Sequence, residues 1–113
     1  VLLVEDDVVS SAALATILRR RGLTVHVAPT LAEGLSALAS NPSFVILDLM
    51  LPDGDGIKLL KHLHTIESPI KVIVTTAVND GVRIQAVRQL QPVMILQKPI
   101  DLDRLIKALE PMN

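Results

Sequence analysis

Polar residues that could do chemistry stand at the ends of apolar runs in this chain. Glu5-Asp6-Asp7 follows Val1-Leu2-Leu3-Val4, and Asp48 follows Phe44-Val45-Ile46-Leu47. Thr75-Thr76 closes Val72-Ile73-Val74, and Lys98-Pro99 lies just past Val93-Met94-Ile95-Leu96. In an open parallel sheet the carboxyl ends of the strands share one edge, and ligands bind there. Carboxylates, a hydroxyl and an ammonium would then meet in one pocket. A carboxylate can attack phosphorus to form an acyl phosphate, and Asp48 is the candidate nucleophile. Glu5, Asp6 and Asp48, brought together on neighbouring strands, repel one another unless a cation joins them. Mg2+ meets that need, because it takes oxygen ligands in octahedral geometry and keeps several waters. One or two carboxylates, a backbone carbonyl and waters suffice, and a phosphate oxygen completes the set. Lys98 supplies a mobile positive charge for one phosphoryl oxygen, and Thr76 a hydroxyl donor for another. Positioning and electrostatics are nearly all that phosphoryl transfer asks of a protein.

Each residue also has a plainer reading. A lone aspartate at a strand end is usually a helix cap or a solvated loop residue, and Asp7 is read that way. A lone Lys-Pro is usually a loop. The conjunction decides for function: these groups stand at different strand ends, and their chemistries complement one another.

The elements that must position them alternate strand and helix. The apolar runs at 1–4, 23–28, 44–47, 72–75 and 93–96 lack polar alternation, as strands buried on both faces do. Leu14, Ile17 and Leu18 line one face of the first helix. Thr30-Leu31-Ala32-Glu33 is a capping box opening the second, with Leu35 and Leu38 inward. Ile57, Leu60 and Leu63 mark the third. Asn79 or Asp80 caps the fourth, which carries Val82, Ala86, Val87 and Leu90. Asp101 caps the fifth, with Leu102, Leu105, Ile106 and Leu109 buried. Gly22, Pro42, Pro69, Pro92 and Pro111 punctuate the boundaries. The alternation predicts an α/β fold, a three-layer α/β/α sandwich.

Composition narrows the function. The length of 113 residues suits a single domain over 1–113, and the 50% hydrophobic content supplies its core. A net charge of -1 gives no pull toward nucleic acid or anionic membrane. Arg19-Arg20-Arg21 complements the negative end of a helix dipole. The chain lacks cysteine, which excludes disulfides, thiolate metal sites and thiol catalysis. Phe44 is the one aromatic residue, which argues against base, flavin and sugar stacking. No apolar run reaches the roughly 18 residues of a membrane span, and no signal peptide is visible, so a cytoplasmic location is expected. The chain opens inside an apolar run without an initiator Met. A piece of a longer regulator or hybrid kinase, with a neighbouring output domain, is therefore the expectation.

This set of residues in this order resembles the receiver domain of two-component response regulators, over essentially the whole chain. The resemblance rests on Leu3-Val4-Glu5-Asp6-Asp7, on Val45-Ile46-Leu47-Asp48-Leu49-Met50-Leu51-Pro52-Asp53-Gly54-Asp55-Gly56, on Val74-Thr75-Thr76-Ala77 and on Lys98-Pro99. It implies a flavodoxin-like (βα)5 fold whose five-stranded parallel sheet has the order 2-1-3-4-5, with strands one and three adjacent at the switch point. It implies Mg2+ held by Glu5 through water, by Asp6, by Asp48 and by the Met50 backbone carbonyl. Asp48 becomes the phosphoacceptor, Thr76 the switch hydroxyl and Lys98 the phosphate-binding lysine. The Lys98-Pro99 bond is often cis in such proteins.

The implied activity is phosphotransfer to Asp48 from a sensor histidine kinase, a phosphotransfer protein or a small phosphodonor. Slow self-catalysed hydrolysis then resets the domain, which makes it a signalling domain and not an enzyme of external substrates. Phosphorylation would bias a two-state equilibrium of the 76–100 face. A linked output domain or a second protomer would read helix four, strand five and helix five. Direct contact with nucleic acid or membrane is not implied.

One position departs from the family pattern, and two more bear on attack by water. Relatives commonly carry Tyr or Phe where this chain has Ile95, so output is expected to depend on backbone movement of the 77–82 loop. Met50 and Val78 are apolar and cannot orient an attacking water, so slow self-dephosphorylation is expected. His26, His62 and His64 are read as surface or packing residues, and Asp53 and Asp55 as turn and capping residues. The alternative function is a pseudo-receiver, a phosphorylation-independent dimerisation or docking module. A hydrolase resembling haloacid dehalogenases would need an aspartate where Met50 stands. Flavin-based electron transfer lacks both its phosphate loop and its aromatics.

Overall fold

The central strand is buried along its whole length, and everything else is arranged around it. The computed structural model describes residues 1–77 and 79–110. The expectations placed on Val78 and Pro111 lie outside the described residues. In chain order the elements are β1 (Leu2–Val4), α1 (Val8–Arg20), β2 (His26–Ala28), α2 (Leu31–Ala37), β3 (Phe44–Asp48), β4 (Met50–Leu51), β5 (Gly54–Asp55), α3 (Ile57–Thr65), β6 (Lys71–Thr76), α4 (Gly81–Gln89), β7 (Met94–Gln97) and α5 (Leu102–Leu109). A short 3-10 turn, Leu38–Ser40, follows α2. The main sheet is parallel in the order β2-β1-β3-β6-β7. Leaving out the short β4-β5 hairpin, this is the expected 2-1-3-4-5 order.

The apolar runs divide between two core layers by strand parity. Along β3, Phe44 and Ile46 face the layer formed with Leu14, Leu18, Leu105 and Leu109 of α1 and α5. Val45 and Leu47 face the layer formed with Leu31, Leu59, Leu63 and Val87 of α2, α3 and α4. Side chains alternate across a strand, so one uninterrupted apolar run feeds both layers. Each fully buried leucine or isoleucine contributes about 1.5–3 kcal/mol relative to exposure.

Boundaries shifted where turns won. The strand expected over 23–28 begins only at His26. Gly22, at φ 86°, and Leu23 donate to the carbonyls of Arg19 and Leu18 at 3.0 and 3.2 Å. That Schellman turn ends α1 and keeps Leu23 out of the sheet. The fourth run extends to Lys71–Thr76, and the fifth shifts by one residue to Met94–Gln97.

Some side chains expected inside are not. Leu35 is exposed because α2 lies on its Gly34 face, where a Cβ would stand 3.1 Å from the Val4 side chain. Leu102, in the first turn of α5, is also exposed, as is Ala86 of α4. Val82 is 83% exposed, since α4 turns inward mainly through Val87. The caps were legible: Thr30, Asp80 and Asp101 each accept from a backbone amide of their own helix.

Asp53, read as a turn and capping residue, caps α2, a partner the sequence did not show. Asp53, 22 residues beyond the helix start, accepts from the amides of Leu31 at 2.7 Å and Ala32 at 2.9 Å. The Ala32 and Leu31 amides hold its carboxyl below the ordinary value of 3.8. A carboxylate depressed in the folded state stabilises above its unfolded pKa, and that contribution is lost as pH falls through the folded one. Asp53→Ala should therefore lower Tm at neutral pH, and the gap to wild type should close in acid. Thermal denaturation followed by circular dichroism across pH tests this; a gap that persists unchanged in acid would assign the effect to something other than the ionised cap.

Candidate functional site

Strand parity also delivers the charged groups. Leu3, Ile46, Ile73 and Leu96 belong to the core layer of α1 and α5. Two residues further along each chain segment stand Glu5, Asp48, Thr75 and Lys98. Residues two apart on a strand share a face. β1 pairs with β3 through Val4↔Leu47, and β3 pairs with β6 through Asp48↔Thr75, so neighbouring strands end side by side.

Lys98 is the hub. Its Nζ donates to Glu5 Oε1 at 2.8 Å and to Asp48 Oδ2 at 3.0 Å. Glu5 and Asp48 are only 6% and 4% exposed. Their remaining oxygens are also engaged: the Asp7 amide donates to Glu5 Oε2 at 3.3 Å, and the Met50 amide to Asp48 Oδ1 at 3.1 Å. Burial pulls the Lys98 pKa down, but the bonds to Glu5 and Asp48 outweigh it and hold the ammonium above its ordinary value. Lys98 is therefore charged throughout the physiological range.

Asp6 is exposed at the rim, and oxygens of Glu5, Asp6 and Asp48 all lie within 4.8 Å of one another. Three carboxylates face one ammonium, which leaves the pocket with negative charge to spare. The donors are all hard oxygens, and one of them faces solvent. This fits a hard divalent cation such as Mg2+, which keeps some of its waters.

Thr76 is fully buried at the end of β6, and the Lys98 amide donates to its carbonyl at 2.9 Å. The Lys98-Pro99 peptide is cis, as expected. Met50 lies in β4 and is exposed. Asp7 takes the N-cap position of α1 and accepts from the Ser10 hydroxyl. His26, His62 and His64 are all exposed, in keeping with surface roles.

Sequence reasoning missed the supports around Asp48. β4 and β5 form a small antiparallel hairpin, Met50↔Asp55 and Leu51↔Gly54, directly after Asp48. Asp55 accepts from the Ile57 amide at 3.0 Å and pairs with Arg83 of α4 at 2.8 Å. The first bond follows the familiar pattern of an aspartate two residues before a helix, but nothing in the sequence pointed to Arg83. Gly56 donates to the Leu49 carbonyl at 2.7 Å. A Cβ at Gly56 would lie 2.3 Å from the Asp48 carbonyl oxygen and 3.0 Å from Leu49 Cα. Only glycine lets the start of α3 pass so close to the Asp48 backbone. Beside the site, an apolar cleft of about 380 Å³ lined by Leu3, Leu14, Ile17, Ile100 and Leu102 opens between α1 and α5.

Comparison with known proteins agrees with this geometry. The family model for the response regulator receiver domain matches residues 1–110. Sporulation initiation phosphotransferase F of Bacillus subtilis is 31% identical over 114 residues, covering 97% of this chain and 90% of that protein. The acid tolerance regulatory protein ActR of Rhizobium meliloti is 32% identical over 110 residues, covering 96% of this chain but 56% of its own length. KdpE, the KDP operon transcriptional regulatory protein of Escherichia coli, is 44% identical over 78 residues, covering 68% of this chain and 34% of its own length. The chain thus spans most of the first relative and only part of the other two.

Among solved structures, the N-terminal domain of an uncharacterized protein from Wolinella succinogenes superimposes with a TM-score of 0.90 at 28% identity, covering 97% of this chain and 90% of that one. The signal receiver domain of a putative Luxo repressor protein from Vibrio parahaemolyticus gives 0.88 at 27% identity, covering 96% and 85%. By sequence, by fold and by the acidic pocket at the sheet edge, the chain belongs to the response regulator receiver domain family.

Proposed function

We propose that Asp48 accepts a phosphoryl group, with Lys98, Thr76 and the acidic pair Glu5 and Asp6 arranged around it for that transfer. The observation that carries this reading is the Lys98 ammonium held between Glu5 and Asp48, with Asp6 alongside. A bond forms between an Asp48 carboxylate oxygen and phosphorus. The phosphorus–nitrogen bond of a phosphohistidine donor breaks, and its electron pair stays on the imidazole. With a small acyl phosphate as donor, the phosphorus–oxygen bond breaks and the carboxylate leaves.

Glu5, Asp6, Asp48 and the Met50 carbonyl would hold Mg2+, which when bound offsets the charge that otherwise repels the incoming phosphoryl group. The Met50 amide fixes one oxygen of Asp48 and so fixes the plane of its carboxylate. Lys98 can trade its bond to Asp48 for one to a phosphoryl oxygen while Glu5 keeps it in place. The Thr76 hydroxyl serves as donor to another phosphoryl oxygen and draws its loop with it. Hydrolysis of the acyl phosphate by water returns the carboxylate.

The reading extends to partners. A histidine kinase or phosphotransfer protein supplies the phosphoryl group, and the apolar cleft between α1 and α5 beside Lys98 offers it a docking surface. A linked output domain, or a second copy, reads the face of α4, β7 and α5. A cytoplasmic setting accompanies this chemistry; no described helix is long and apolar enough to cross a membrane. The chain acts as one receiver unit over 1–113.

Incubation with acetyl phosphate and Mg2+ should add about 80 Da by intact mass, with no gain in Asp48→Ala. Absence of the gain in wild type would instead favour a phosphorylation-independent docking module. Gly56→Ala should slow this phosphorylation and destabilise by about 1–3 kcal/mol, because the new methyl must displace the backbone of Asp48; a variant that folds and reacts at the wild-type rate contradicts the close-packing argument. Met50→Asn should shorten the lifetime of the phosphorylated form, since an amide at that position can orient water. Decay followed by mass after removal of acetyl phosphate reads this directly, and an unchanged or longer lifetime counts against it.

A further inference from the structure

We infer that Arg83 is a positioning residue for the reaction at Asp48, acting through Asp55, and that this ion pair carries the state of Asp48 to α4. The inference rests on the phosphoacceptor role proposed for Asp48.

The connection is continuous in space. Asp48 Oδ1 accepts from the Met50 amide. Met50 is paired with Asp55 across the β4-β5 hairpin. Asp55 Oδ2 meets Arg83 at 2.8 Å, while its Oδ1 is fixed by the Ile57 amide at 3.0 Å. The Asp55 carboxylate is thus anchored on the α3 side and offers its other oxygen to α4. Any displacement of the Met50 amide, as Asp48 Oδ1 changes from a carboxylate oxygen to part of an acyl phosphate, reaches Asp55 through the hairpin.

The receiving end is suited to move. Val87, in the second half of α4, is the helix's one buried residue among those described. In its first turn Gly81 and Val82 are exposed, and Asp80 caps locally through the Val82 amide. Arg83 is therefore the cross-link from the start of α4 to the phosphoacceptor hairpin. The guanidinium is also incompletely satisfied: its Nε is buried without a hydrogen-bond partner among the described residues. A fully bonded arginine would lock one arrangement. One with a buried donor to spare can gain a bond in a second arrangement, which is what a two-state contact needs.

The test is NMR of the Arg83 side-chain Nε–H signal, with intact mass on the same samples, in the presence of acetyl phosphate and Mg2+. Wild type should gain mass, and its Arg83 signal should shift on phosphorylation. Asp55→Asn keeps an acceptor for the Ile57 amide but removes the charge; it should abolish that shift. Arg83→Ala should slow phosphorylation about threefold, the size expected of a partly exposed ion pair. Arg83→Lys should recover part of the loss. In a double-mutant cycle, Arg83→Ala with Asp55→Asn should cost no more than the larger single change. A wild-type mass gain with a silent Arg83 signal, or additive effects in the cycle, overturns the inference and leaves the phosphoacceptor role standing. No mass gain in wild type overturns both.

Discussion

Like charges gathered at the end of a sheet must be neutralised, and this structure is organised around that constraint. Glu5 and Asp48 are almost wholly buried, and a buried carboxylate without a partner is expensive. Lys98 removes the difficulty by standing between them. Three carboxylates against this one ammonium still leave the pocket negative enough to attract a cation. The same ammonium that holds the resting pocket together is the group a phosphoryl oxygen would claim, so structural and chemical roles fall on one atom.

The sheet supplies the accuracy that this pocket needs. β1, β3 and β6 are adjacent and in register, so their ends cannot drift relative to one another. Side-chain alternation assigns Glu5, Asp48 and Lys98 to the side of α1 and α5, above the core residues Leu3, Ile46 and Leu96. Moving Asp48 by one residue would turn it to the opposite face. The apolar layers therefore fix the chemistry as well as the stability.

Support for Asp48 comes from a small hairpin and two aspartates. Asp53 ties the hairpin to the start of α2, and Asp55 ties it to α3 and α4. Gly56 permits the close passage of backbone that makes this compact. Ile95 packs partly buried against the core of α2, α3 and α4. As a branched aliphatic it has neither the ring nor the hydroxyl of a tyrosine.

The sequence alone determined which residues are chemical and what fold must gather them. Uninterrupted apolar runs such as Phe44 to Leu47 named buried parallel strands, the polar residues after four of the runs supplied the candidate site, and Thr30, Asp80 and Asp101 announced their own helices. These signals are local, because periodicity and capping act within a few residues. The tertiary structure decided what depends on distant partners: that Gly34 and not Leu35 faces β1, that Asp53 caps a helix that starts 22 residues before it, and that Arg83 meets Asp55. Each of these is a contact between segments whose sequences carry no mark of one another, and only the packing of helices on the sheet brings them within reach.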